Sequence, residues 1–258
     1  MPNVTSERNG YVTVIRMCFE KKLNSLEKIF RDELKHHLRE FARCEKSRVA
    51  VLTGSGKAFC TGGSLSELGG DMTAVAAVDY MKEIGEIVVD ITGMEKPVIA
   101  SVNGAAVGAG FNIALACDLI IAASDAKFSQ TFTKVGLVPD LGGHYFLPRI
   151  IGLHKAKELI FTAKMLTAAE ALEMGLVNHV VDPLDLLSYS IEIASSIAAG
   201  PQRAIIFSKS ILSKGLELSL NDILEYEAYV QSICMQSKDH KEGVEAFYQK
   251  RKPQFEGK

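Results

Sequence analysis

Three glycine-rich segments and one carboxylate carry residue types that could do chemistry. GSGKAFCTGGSLSEL begins at Gly54, NGAAVGAGFNIALACD spans 103–118, and LVPDLGG holds Asp140 directly after Pro139. Glycines let a backbone turn tightly and approach a ligand, so turns of this kind can aim free N–H groups outward. Two such turns suit an oxyanion hole, because two amide donors can converge on one developing negative oxygen. Asp140 is the acid/base candidate beside them. Each feature also has a plain structural reading. The glycines could serve only tight turns and close helix packing, and Pro-Asp-X-Gly is ordinary turn chemistry. Spacing alone leaves both readings open. Neither glycine segment matches GxxxxGK[ST], and GAAVGAG lacks the downstream acidic residue of a dinucleotide fingerprint. His144 and Tyr145 are the other titratable groups of the third segment, and His144, like His154 and His179, reads as a structural or surface residue.

These segments need elements to position them. Short runs rich in Val and Ile, at 11–17, 48–54, 97–104, 119–124 and 179–181, predict strands covered on both faces. Leu26–Cys44 lies between the first two, with Leu26, Ile29, Phe30, Leu34, Leu38 and Phe41 at helical spacing. The alternation of strand and helix predicts an α/β fold with parallel pairings. The first glycine turn predicts a helix start with Ser64 as N-cap and Glu67 three residues on. After Pro183 the chain reads as successive helices at 183–199, 201–214 with Pro201 at the first helical position, 219–237 and 239–250, the last stopped by Pro253.

With 258 residues and 47% hydrophobic composition the chain can bury a large core. Its 29 Lys and Arg against 31 Asp and Glu give a net charge of −2, so neither nucleic acid nor an anionic membrane surface is an expected partner. Cys18, Cys44, Cys60, Cys117 and Cys234 have neither disulfide-framework nor metal-ligand spacing, which predicts reduced thiols and no metal site. No apolar run is long enough to span a bilayer, MPNVTSERNG is unlike a secretory signal and QFEGK is unlike a peroxisomal address; a cytoplasmic protein is expected.

In combination, AFCTGGSLSEL, VNGAAVGAGFNIALACDLIIAASDAKF and VGLVPDLGGHYFLPR resemble the three signature segments of the crotonase superfamily, the enoyl-CoA hydratases and isomerases. KLNSL at 22–26, MLTAAEALEMGLVNHVV at 165–181 and EGVEAFYQKRKPQF at 242–255 extend the likeness over essentially the whole chain. The resemblance implies a crotonase-like α/β spiral of ββα repeats over 1–195 and a C-terminal helical trimerisation region over 196–258. It implies an acyl-CoA substrate, no separate cofactor, and a homotrimer or a hexamer made of two trimers. The N–H groups of Gly63 and Ala109 would bind the thioester oxygen. Gly62, Ser64, Leu65 and Gly108 flank them, and the backbones of Ala58, Thr61 and Leu65 would contact adenine and pantetheine. Lys22, Lys57 and Lys250 or Arg251 are the candidates for the CoA phosphates.

The departures from the family pattern narrow the chemistry. Hydratases of this family place two glutamates around the added water, and Asn112 and Phe132 stand at those positions here, where the resemblance implies that they contact the substrate. Neither is a carboxylate, so ordinary hydration is not expected. Isomerase branches carry one carboxylate in the later turn, where Asp140 lies. The arrangement of Gln130, Phe132, Lys134 and Asp140 is closest to the ring-epoxide isomerases of phenylacetyl-CoA degradation. His144 and Tyr145 replace the usual threonine and tryptophan, and Ser64 replaces the usual aspartate. A CoA-thioester isomerase is expected, of the ring-epoxide or the Δ3,Δ2-enoyl type, with an apolar surrounding of Phe132, Phe146 and Leu137 raising the Asp140 pKa. The alternatives are another activity of the hydratase family or a non-catalytic CoA-binding subunit. RNA binding, known in one branch, fits poorly with balanced charge and no lysine-rich helix.

Overall fold

The computed structural model of the chain describes residues 2–64, 67 and 72–257. Val4–Asn9 (β1), Val12–Met17 (β2), Val49–Gly54 (β3), Val98–Val102 (β5), Leu119–Ala123 (β7) and His179–Val181 (β10) form a sheet in the order β1-β2-β3-β5-β7-β10. All neighbours are parallel except β1, which runs antiparallel to β2. Every residue of β3 and β5 is buried, which explains their unbroken apolar runs. The sequence reading misses β1. Its VTSERN is exposed after Val4, so an edge strand held by backbone pairing leaves no apolar alternation to read.

A second sheet, in the order β4-β6-β8-β9, is built from Ala58–Cys60 (β4), Ala105–Val107 (β6), Lys127–Ser129 (β8) and Leu166–Thr167 (β9). Strands this short carry no usable periodicity, and the sequence reading misses them too. β4, β6 and β8 are parallel and repeat the order of β3, β5 and β7. The chain therefore winds as a spiral: a long strand, a short strand in the second sheet, then a helix. The helices of successive turns are Ala74–Thr92 (α2), Ala109–Ala116 (α3) and Gly143–Ile151 (α4), the last preceded by a 3-10 turn at Thr131–Val135. This is the predicted ββα repeat. It brings the residues that follow β4, β6 and β8 to the same end of the small sheet.

Lys28–Arg43 (α1) packs along β1 and β2, burying Phe30, Leu34, Leu38 and Phe41. Each such side chain contributes about 1.5–3 kcal/mol. Ile29, which the spacing assigns to the same stripe, is 69% exposed because the buried face is centred one residue further on. Leu153–Thr162 (α5) and Ala168–Glu173 (α6) lead to β10, and Leu186–Ala198 (α7) crosses β2, β3, β5 and β7. Gln202–Lys214 (α8), Leu220–Met235 (α9) and Lys238–Gln249 (α10) complete the chain. Pro201 is the N-cap of α8 rather than its first helical residue. Helix α10 stops at Gln249, with Lys250 left-handed at φ 52°, before Pro253 is reached. No helix among the described residues is long and apolar enough to cross a membrane.

Helix α3 is buried at every position, and it reaches the first glycine turn because residue 110 has no side chain. A methyl at Gly110 would drive into the Cys60 carbonyl, backbone that cannot yield locally. Gly110→Ala is expected to lower unfolding stability by about 1–3 kcal/mol, read as a shift of the urea midpoint. Gly85→Ala, inside α2 with open space around it, is expected to raise stability by up to about 1 kcal/mol in the same assay.

Candidate active site

The first glycine turn is pinned from two sides. The Leu26 amide donates to the Gly62 carbonyl at 2.8 Å, and the Thr61 amide and hydroxyl both donate to the Leu23 carbonyl, at 3.2 and 3.1 Å. On its other side Gly62, at φ +84°, lies so close to helix α3 that a Cβ there would stand 2.9 Å from the Ala109 nitrogen. Gly62 thus brings residue 63 beside residue 109. Gly108, at φ 55° and ψ −129°, caps α3 and donates its own amide to the Ser129 carbonyl at 2.9 Å. Among the described residues neither the Gly63 nor the Ala109 amide has an acceptor. Ala109 opens a helix, where amides lack intrahelical partners and the helix dipole favours negative charge. Two free amides at adjoining turns can stabilise one oxyanion.

The Phe132 ring covers this corner, its edge 3.7 Å from where a Cβ of Gly108 would be. Phe132 itself is buried, so the second hydratase glutamate position is apolar wall here. Asn112, at the first of those positions, is fully buried and committed at both ends of its amide. Its Nδ2 donates to the Asp140 carbonyl at 2.8 Å, and its Oδ1 accepts from Gln130 Nε2 at 2.8 Å.

Asp140 sits in a turn with two left-handed residues, Leu141 at φ 44° and Gly142 at φ 79°. The Gly143 amide closes the turn onto the Asp140 carbonyl at 2.9 Å. The carboxyl is half-buried, its Oδ1 has no hydrogen-bond partner among the described residues, and burial pushes its pKa up to about 6. The raised pKa agrees with the expectation for an apolar pocket. Of the expected apolar neighbours, Phe132 is buried, Phe146 half-buried and Leu137 42% exposed. Leu141 and Gly142 also line a cavity of about 720 Å³, with Val88, Leu115, Phe146 and Leu216.

The other predicted residues scatter. Lys22 is exposed and paired with Glu27 at 3.2 Å. Lys57 is exposed, while the Ala58 carbonyl already accepts from Asn24 Nδ2 at 2.8 Å. Ser64 is buried, and Leu65 and most of the helix start predicted after it lie outside the described residues. Arg251 holds Glu242 in a bidentate pair at 2.6 and 2.9 Å. His144 is exposed, and Tyr145 bonds Glu217 at 2.6 Å, a contact that raises its phenol pKa. Sequence reasoning missed Tyr80 of α2. Its phenol donates to Glu67 at 3.4 Å, and Arg31 stacks over its ring at 4.8 Å. Burial raises its pKa, and the Asp140 charge is a smaller contribution in the same direction, which places the two groups within electrostatic reach. A lone tyrosine in an amphipathic helix carries no signal that would have singled it out.

Comparison with known proteins gives the family. The sequence model of the enoyl-CoA hydratase/isomerase family matches residues 7–258. A short-chain-enoyl-CoA hydratase of Clostridium acetobutylicum is 35% identical over 251 residues, covering 97% of this chain and 96% of that one. A 1,2-epoxyphenylacetyl-CoA isomerase of Escherichia coli is 35% identical, covering 92% of each. The crystal structure of an enoyl-CoA hydratase from Bacillus anthracis superposes with a TM-score of 0.94 at 36% identity, covering 99% of this chain and 100% of that one. Spiral, glycine turns and whole-length similarity together establish that the chain belongs to the enoyl-CoA hydratase/isomerase family of the crotonase superfamily.

Proposed function

We propose that this member of the family is an acyl-CoA isomerase that works with one carboxylate. The observation that supports this most is the fate of the two hydratase positions: Asn112 is a buried amide with both ends engaged, and Phe132 is a buried ring. Syn addition of water needs two groups that exchange protons with it, and neither residue can do so. The hydratase names among the relatives describe those proteins. Their identity is spread over the whole chain, whereas hydration turns on two side chains.

One carboxylate suffices for a 1,3-proton shift. Asp140 takes a proton from C2 or C4, and the electron pair moves onto the thioester oxygen as a dienolate. The Gly63 and Ala109 amides hold that oxygen, and the protonated Asp140 returns the proton at the other end. In the ring-epoxide variant, supported by the similarity to the Escherichia coli isomerase, the same acid assists C–O cleavage and ring expansion. An acid with a pKa of about 6 can both take and return a proton near neutral pH. The nucleotide end would meet Lys57 and Lys250, neither of which has an ion-pair partner among the described residues. Exposed Leu212, Leu220, Leu224, Ile233 and Phe247 on α8–α10 support assembly into a homotrimer or a hexamer.

Incubation with 3-enoyl-CoA, 2-enoyl-CoA and the ring epoxide of phenylacetyl-CoA tests the reading. Isomerisation of the first or third is expected, with 2-enoyl-CoA left unhydrated. Rapid hydration of 2-enoyl-CoA would overturn it, and turnover of none with intact CoA binding would favour the non-catalytic subunit.

A further inference from the structure

We propose that Asn112 and Gln130 are positioning residues that index the Asp140 carboxyl to the oxyanion hole through helix α3. The inference rests on the reading of Asp140 as the acid and extends it. The Asp140 backbone carbonyl can only accept, so Asn112 must present its NH2 to it, at 2.8 Å. That choice leaves the Asn112 carbonyl facing Gln130, which must then present its own NH2, also at 2.8 Å. The orientation of both amides follows from one acceptor. Asn112 lies one helical turn after Ala109, so the residue that anchors the Asp140 turn and the residue that supplies an oxyanion amide share one rigid buried helix.

The turn is cut to receive this amide. A Cβ at Gly143 would stand 2.6 Å from Asn112 Nδ2 and 2.9 Å from its Oδ1, so the second glycine of the pair is where Asn112 passes. Two hydrogen bonds, from Asn112 and from the Gly143 amide, converge on the Asp140 carbonyl and oppose relaxation of left-handed Leu141. Gln130 is buried, and its Oε1 has no partner among the described residues. That cost is consistent with a side chain retained for its donor. Where hydratases use this helix position for proton transfer, this chain uses it to hold its acid in place.

The test is steady-state kinetics of C2 proton exchange by the full-length protein, with folded fraction determined in parallel. Asn112→Leu is expected to lower kcat by about tenfold to a hundredfold, the scale of a misplacement near 1 Å. KM for the acyl-CoA is expected to stay within about twofold, because the two amides are committed to the Asp140 carbonyl and to each other. Gln130→Leu, which leaves Asn112 in place but unoriented, is expected to cost about fivefold in kcat, the equivalent of one neutral hydrogen bond. Gly143→Ala removes neither amide, pushes Asn112 off the carbonyl, and is expected to change kcat in the same direction even if Asn112→Leu folds poorly. Folded Asn112 and Gly143 variants with wild-type kcat, or with losses only in proportion to the unfolded fraction, would overturn the proposal. Asp140→Asn run alongside separates the two ideas: if it retains exchange, the acid assignment fails; if it is inactive while the Asn112 and Gly143 variants remain normal, only the positioning inference fails.

Discussion

Asp140→Asn is expected to lower isomerisation and C2 proton exchange by about 10²–10⁴-fold while leaving affinity for free CoA unchanged. Asparagine preserves the shape of the turn and the carbonyl that accepts from Asn112 and Gly143, so the substitution removes the titrating oxygen and little else. The pH dependence sharpens the test. Proton removal from C2 needs the carboxylate, so wild-type kcat/KM should rise through about pH 6 and level off above it.

Stability should run the opposite way. The Asp140 pKa is raised from an ordinary 3.8 to about 6 by burial, so between those values the folded protein binds more protons than the unfolded chain. Stability then falls as pH rises through that window. Asparagine carries no charge to desolvate, and the variant should be more stable than wild type at pH 8, by about 1–3 kcal/mol, with the advantage vanishing below pH 4. Calorimetric melting at several pH values measures it. An inactive variant that gains no stability would mean that the carboxyl is not held in an apolar pocket, and an active one would eliminate Asp140 as the acid.

Ala109→Pro should be nearly as damaging to turnover, for a different reason. Residue 109 is the first of helix α3, a position where proline is tolerated because its amide has no helical partner. The backbone restriction that proline imposes on its predecessor falls on Gly108, the residue type best able to bear it. The substitution removes one N–H from the oxyanion corner and sets the proline Cδ in its place, close to Gly62, and turnover is expected to fall by at least about 10²–10³-fold. Free CoA has no thioester carbonyl, so its binding, followed by calorimetric titration, should persist. If the variant binds CoA normally and turns over within threefold of wild type, the Ala109 amide does not hold the oxygen.

Much of this protein is local, and local features are legible in order along the chain. The apolar stripe of Phe30, Leu34, Leu38 and Phe41, the unbroken runs of β3 and β5, and the helical C-terminal region all follow from periodicity. Asp140 is legible as a candidate, because a carboxylate between proline and a glycine pair stands out, and its raised pKa follows from apolar neighbours. The errors have physical causes. Ile29 was misplaced because a helical stripe read from spacing is accurate only to one position, and β1 was missed because edge strands are held by backbone bonds that any side chain permits. Strands of three residues, such as β4, β6 and β8, are too short to show a period at all.

The paired glycine turns and the departures at Asn112 and Phe132 were determined by the sequence itself, which was enough to place the chain in its family and to turn the expectation from hydration toward isomerisation. Tertiary structure alone decided that Gly62 lies against the Ala109 amide, that Asn112 reaches the Asp140 carbonyl, and that Tyr80 stands within the field of the acid. These relations join residues far apart in the chain through backbone groups and buried amides. Backbone donors have no side-chain signature, and a hydrogen bond between distant segments imposes no spacing, so both become visible only when the spiral brings its turns together.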